Sequence, residues 1–415
     1  MSPRALLVTL GLATLGVIAA AEEPLYRQFR EAPHRYFERT PTDAFTQLVA
    51  RFESGEIALP RGDERTVLQA LLRALDIPTS SQLLVYSTTS LQLSRISPSS
   101  PRALYFNDEV YLGYVQGGRI EVAALDPALG VVFHIFEIPR NAEPLRVERA
   151  TRCMNCHAGD ETGFVPSLLV KSVAPGASGG SLDAFRRGLS GHGIPWEERF
   201  GGWHVTGADM FTNHWGNALG QFVEGELRRL PLPPGSRFSF ASYPAASSDL
   251  LPHALHEHQV GFVQRAVEAL YRARAALPAG QGDLPADHVP EIEAAAENLT
   301  RYLLFVDEVP LPPGGVAGDP AFKTEFARRR RVVQGASLHD LELRTRLLQN
   351  RCSYMIYSSL FEGLPALVKT RVFSRLHHAL DASSPSPLGA HLPADERRRL
   401  RMILEATVPG FPARR

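Results

Sequence analysis

Cys153, Cys156 and His157 fall together in the string Cys153-Met154-Asn155-Cys156-His157. Two thiols three positions apart on a helical turn point to the same side. Each can add to one vinyl group of a haem, giving two thioether bonds. The following histidine is then held under the iron, where it can supply an axial nitrogen. With 3 cysteines and 14 histidines in the chain, an accidental CxxCH string is expected on the order of 10⁻³ times. The spacing predicts one covalent haem c, held by Cys153, Cys156 and His157, with His157 as an iron ligand.

Three other chemistries use such a cysteine pair. A thioredoxin-like redox pair follows an apolar strand in a βαβ unit, but here Arg149-Ala150-Thr151-Arg152 precedes it. A structural zinc site needs four ligands, and Cys352, the remaining sulfur, is distant and has no CxxC partner. A disulfide between Cys153 and Cys156 would leave His157 unexplained.

The residue opposite His157 decides what the iron does. A second histidine, a methionine or an open position gives different potentials and reactivity. His192, His204 and His214 are interleaved with Trp196, Trp203 and Trp215, and this stretch reads either as a loop wrapping the haem or as a local aromatic core. His214, next to Trp215-Gly216, is the first candidate for the distal ligand, His258 the second and Met210 the third. His253, His256 and His258 lack an HExxH pattern and read as a solvated helix start. His134 reads as a satisfied core or edge residue, and Cys352 as a buried small hydrophobe. Arg149 and Arg152 flank the motif, either to pair with haem propionates or as ordinary solvated arginines.

The elements that must position these residues follow from the remainder of the 415-residue chain. Hydrophobic residues make up 44% and charged residues 21%, an ordinary globular balance with enough apolar surface for a sizeable core. Lys+Arg and Asp+Glu both number 44, so there is no basic excess and no nucleic-acid partner is expected. The pattern predicts an α+β fold: an antiparallel β-meander, an irregular haem-attachment segment and a largely helical C-terminal half. Residues 22–78 read as a helical N-terminal region, with helical spacing over 44–52 and 65–75. Residues 79–140 read as an antiparallel sheet region, with a hairpin turning at Gly117-Gly118 and another turn at 126–130. Residues 141–236 form the c-type haem segment, rich in Gly and Pro. Residues 237–415 read as helical, with apolar stripes over 260–270, 292–305, 338–348 and 360–380.

Residues 1–21 read as a signal peptide. Arg4 gives a positive start, the stretch from Ala5 to Ala20 carries no charge, and Ala19 and Ala21 give a small-residue cleavage pattern. No later segment reaches 18 uninterrupted apolar residues, so no membrane span is expected after cleavage, and the mature chain is expected in the periplasm.

Several longer strings carry a resemblance: Ser90-Leu91-Gln92, Ile96-Ser97-Pro98, Pro101 to Asp108, Ala123 to Gly130, Cys153 to His157, Glu197 to Trp203, His214 with Gly216-Asn217, Glu257-His258-Gln259 and Cys352 to Ser358. In these the chain resembles a family of exported bacterial proteins, each with a single haem-attachment motif, labelled cytochrome c domain-containing. In those relatives the residue after the first of these histidines is often Met, and here it is Trp215. The resemblance implies haem attachment and export. It implies no particular reaction.

The expectation is an exported c-type cytochrome with a redox partner protein, transferring electrons through His157-ligated iron. The alternatives are a haem enzyme or small-ligand sensor with an open distal site, or a binding module in which haem is a structural staple. A di-haem peroxidase would carry two CxxCH motifs, and one is present.

Overall fold

The computed structural model describes residues 23–60, 62–139, 145–184, 190–208, 211–278, 282–383 and 385–412. The signal-peptide reading and Met210 lie outside the described residues.

Two short helices open the described chain. Helix α1 (Ala44–Glu53) is capped by Asp43, whose carboxylate accepts from the Phe45 and Thr46 amides, and α2 (Glu64–Ala74) is capped by Asp63. The meander follows as β1 (Leu83–Val85), β2 (Arg102–Phe106), β3 (Val110–Tyr114), β4 (Arg119–Asp126) and β5 (Gly130–Glu137). The turn before β5 closes on Asp126, which accepts from the Ala128 and Leu129 amides, each at 2.8 Å. Two strands from the irregular segment complete the sheet: β6 (Glu148–Arg149) pairs with β5, and, later in the chain, Trp203–His204 pairs with β1. The segment around the motif is therefore woven into both edges of the sheet.

Between these edge strands lie α3 (Met154–His157) and a small ribbon of β7 (Val173–Pro175) with β8 (Ser181–Ala184). Numbering Trp203–His204 as β9, the sheet order is β6-β5-β4-β3-β2-β1-β9 and neighbouring strands run antiparallel. A hairpin of β10 (Ala218–Val223) and β11 (Glu226–Pro231) follows, turning at Glu224-Gly225, both at positive φ.

The α+β class is as the sequence predicts. Alternation gives the sheet two faces. On one, Leu84, Tyr105, Leu112 and Val122 pack with Phe45, Leu68 and Leu71 of α1 and α2. On the other, Val85, Phe106, Tyr111, Leu125 and Phe133 join the larger core under α4 (Leu250–Ala276). Helix α4 is buried on nearly every side, as a central helix must be. Around it lie α5 (Val289–Leu303), α6 (Pro320–Ala327), α7 (Ser359–Glu362), α8 (Ala366–Ala379) and α9 (Ala394–Thr407).

Two sequence expectations are corrected. His253, His256 and His258 are not a solvated helix start: α4 begins at Leu250 and buries all three. The apolar stripe over 338–348 is not a helix. There the Glu342 carboxylate accepts the Arg344, Thr345 and Arg346 amides, and Leu341 bridges to Leu348. A side chain that binds backbone amides in this way competes with helical pairing.

Candidate functional site

Strand β5 sets the entry to the motif. The Ala150 amide donates to the Phe133 carbonyl at 2.8 Å, and a 3-10 turn over Thr151–Cys153 leads into the short helix α3. Met154 is buried in the main core and fixes the rotation of that helix. Cys153 is thereby left half-buried, Cys156 exposed and His157 half-buried. The thiols of Cys153 and Cys156 are free. Burial, reinforced by the charge of Glu121, pushes the Cys153 thiol up to about 12.

His157 is clasped twice by one residue. The Ser167 amide donates to the His157 carbonyl at 2.8 Å, and His157 Nδ1 lies 2.9 Å from the Ser167 carbonyl. A carbonyl can only accept, so Nδ1 carries the proton and Nε2 presents a lone pair. This is how a second contact fixes the tautomer of a metal-binding histidine. Among the described residues Nε2 has no partner. The ring rests on Phe133, with centroids 4.4 Å apart. Burial lowers the His157 pKa to about 4, so the imidazole is neutral at physiological pH.

The sheet face beneath the motif is not fully covered. Arg102, Leu104, Glu121, Ala123 and Ile135 are all half-buried, although they sit on interior strands. Arg102 donates to Glu121 at 2.7 Å across β3, passing Gly113. Ser90 Oγ and Gln92 Nε2 donate to the other Glu121 oxygen at 2.7 and 2.9 Å. Burial opposes the charged carboxylate, but Arg102 and these two donors outweigh it and hold Glu121 below the usual range. Beside the motif, a cleft of about 620 Å³ runs past Arg95, Arg119, Ile135, Arg149 and Arg152. That volume is in the range of small-molecule sites.

The sequence candidates fall in different places. His214 is buried between Phe200 and Phe211, and its Nδ1 accepts the Gly216 amide at 2.9 Å. His258 has both ring nitrogens engaged, Nδ1 with His192 Nδ1 at 2.8 Å and Nε2 with Ser353 Oγ at 2.7 Å. Arg149 donates to the backbone carbonyls of Tyr36 and Arg39, while Arg152 is exposed. His134 lies on the opposite face of the sheet, against Phe45 and 3.7 Å from Asp43. Cys352 is fully buried in the main core. Of the tryptophans, Trp203 lies against His253 and His256, whereas Trp196 packs under Arg199 and Trp215 beside Arg229.

The structure joins many of the strings that carry the resemblance. Arg199 pairs with Glu257, His258 with Ser353, Gln259 with Tyr354 and Asp108, and Ser90 and Gln92 meet Arg102 on Glu121. Sequence reasoning missed Ser167, Phe133 and the Arg102–Glu121 pair. Ser167 acts through its backbone, which leaves no trace in side-chain type. Among the described residues no three His, Cys, Asp or Glu side chains converge as a closed metal site. No helix among them is long and apolar enough to cross a membrane. No family model, curated protein or solved structure matches the chain.

Proposed function

We propose that the chain is an exported, periplasmic c-type cytochrome that carries one covalent haem and transfers electrons to and from a redox partner protein. The observation that carries this reading is the His157–Ser167 clasp beside two free thiols on one helical turn. The clasp leaves an oriented, neutral nitrogen donor next to two groups able to form thioether bonds. When bound, haem would supply one-electron chemistry at its iron. Cys153 and Cys156 would hold it, and His157 would donate Nε2 from a ring whose tautomer Ser167 sets. The sheet face at Leu104, Ala123 and Ile135 offers apolar cover on one side of the motif. Exposed Arg152 is placed to meet propionate charge.

A second reading, a haem enzyme or sensor with an open distal position, has one observation in its favour. The ring nitrogens of His214 and His258 that accept or exchange hydrogen bonds are already committed within the protein.

The test is a pyridine haemochrome on denatured protein co-produced with a c-haem maturation system. Haem that stays with the polypeptide and is lost or reduced in Cys156→Ala supports the proposal. Full retention in the Cys153→Ala, Cys156→Ala double variant would falsify it. On loaded protein, rapid CO binding by the reduced form selects the open-site reading, and its absence selects the electron carrier.

A further inference from the structure

The α4 histidines face different ways. Residues two apart on a helix are separated by about 200°. His258 therefore looks away from the sheet, into a stack with His192, Tyr302 and Phe305. His256 looks toward the sheet. Its ring centroid lies 5.2 Å from Phe106 on β2 and 5.7 Å from Tyr111 on β3. Gln259, one turn further along the same helix face, accepts from the Tyr111 hydroxyl at 2.9 Å and fixes that orientation.

The sheet register puts His256 and His157 over one row. Phe106 pairs with Tyr111, Tyr111 with Ala123, and Ala123 with Phe133. His157 stands on Phe133, and His256 stands on Tyr111 and Phe106. Two strand spacings, about 10 Å, separate β5 from β3. Between these aromatic supports lies Ala123, a small side chain that is half-buried while Tyr111 and Phe133 are buried. The row thus has two tall posts, each carrying a histidine, around a low and partly open middle.

His256 shares one trait with His204 and His339, whose ring nitrogens also lack hydrogen-bond partners. It is buried, yet among the described residues neither ring nitrogen has a hydrogen bond. The nearby histidines are accounted for otherwise. His253 Nε2 is shared between the His204 carbonyl at 3.0 Å and Ser248 Oγ at 3.1 Å. His204 is on the opposite sheet face, against Tyr86 and Phe238, with both ring nitrogens sealed in the interior. The ring nitrogens of His256 are not sealed in that way. A partly open imidazole whose nitrogens make no hydrogen bond within the protein keeps its lone pair available to an incoming group.

We infer that His256 would supply a second nitrogen to the haem iron besides that of His157, the two rings standing on the same row of the sheet with Ala123 between their supports. This inference rests on the haem reading. It makes the protein a six-coordinate, bis-histidine electron carrier rather than an open-site enzyme, and it gives the sixth position to neither His214 nor His258.

The experiment uses full-length protein loaded by a c-haem maturation system. Wild type, His256→Ala, His256→Gln and His214→Ala are compared by pyridine haemochrome, ferric and ferrous absorption, and near-infrared magnetic circular dichroism. The expected wild type is low-spin with a bis-histidine charge-transfer band and slow CO binding. His256→Ala or His256→Gln, with covalent haem retained, is expected to become high-spin and to bind CO at least tenfold faster. Added imidazole should restore the low-spin spectrum, and His214→Ala should match wild type. A high-spin, CO-reactive wild type, or a loaded His256 variant with an unchanged spectrum, overturns the inference while leaving haem attachment standing. If the alanine variant does not fold, the wild-type charge-transfer band decides alone, since any ligand set other than bis-histidine overturns it. Absence of covalent haem in wild type removes the haem reading itself.

Discussion

Arg102 reaches across strand β3 to Glu121, 2.7 Å away, and the bond passes over Gly113. A Cβ at position 113 would stand 3.4 Å from Glu121 Oε2, an ordinary contact, but anything larger would meet the carboxylate. Gly113→Ala is therefore expected to be tolerated. Gly113→Val should destabilise the protein by about 1–3 kcal/mol by overpacking. Urea unfolding of both variants separates the cases, and equal midpoints would remove the steric argument.

Glu121 gives that pair a pH signature. Its folded pKa is depressed, because Arg102, Ser90 and Gln92 outweigh the cost of burial. The unfolded chain then binds the proton more readily than the folded one. The stabilisation from Glu121 is full above the unfolded carboxyl pKa, about 4.3, and is lost as pH falls through the lower folded value. Glu121→Gln should be less stable than wild type by about 1–3 kcal/mol at pH 7. The difference should shrink below about pH 4. A gap that stays constant down to pH 3 would mean that the carboxylate's charge contributes nothing.

Histidines remote from the motif act over a higher window. Burial lowers His34 to about 4, helped by the charge of Arg274, and burial lowers His204 to about 3. Folded pKa values below the unfolded value, about 6.5, mean that the unfolded state takes up protons first. Their neutral forms are stabilising above about pH 6.5, and that contribution is lost as pH falls toward 4. The unfolding free energy should therefore decline between pH 6.5 and pH 4, less steeply in His34→Gln. A flat profile in wild type would show that these rings are not buried as described.

Much of this framework was legible in the sequence. The tight turns at Gly117-Gly118 and 126–130 marked the strands on either side of them, β3, β4 and β5, and helical spacing marked α1, α2 and α8. The spacing of Cys153, Cys156 and His157 singled out a segment that the structure folds as one short helical turn with both thiols free. What stayed hidden depends on tertiary contacts. Phe133 and His134 differ only in which sheet face they meet, and sequence does not say which face carries the motif. His256 and His258 are both histidines on one helix, and only the rotation of α4 separates them. Residues 338–348 have helical spacing, but Glu342 takes the amides that a helix would use.

The Arg199–Glu257 pair is a further place where one substitution should be severe. The side chains are 1% and 2% exposed and approach to 3.3 Å. Arg199 also donates to the carbonyls of His192 and Ile194 and stacks over Trp196. Removing one member leaves the other charge buried, at a cost of about 3–5 kcal/mol. Glu257→Gln is expected to lower the urea midpoint accordingly at an unchanged slope. A loss below about 1 kcal/mol, the level of a surface pair, would contradict this burial.

The three thiols should differ in reactivity before any cofactor is attached. Thiolate is the reactive form, and both access and pKa control it. Cys156 is exposed on the motif helix. Cys153 is half-buried beside Glu121, with its thiol pushed up to about 12. Cys352 is fully buried, and burial pushes it up to about 12 as well. In haem-free native protein, iodoacetamide should therefore label Cys156 first, Cys153 at least tenfold more slowly, and Cys352 only on unfolding. Peptide mass spectrometry over time reads all three rates. On the proposed haem reading, the same order implies that attachment would begin at Cys156, with Cys153 following once that turn is engaged, so the single variant Cys153→Ala should keep more haem than Cys156→Ala. Equal labelling of Cys153 and Cys156 would mean that the turn over Cys153 is open in solution, and the asymmetry between the two variants should then vanish too.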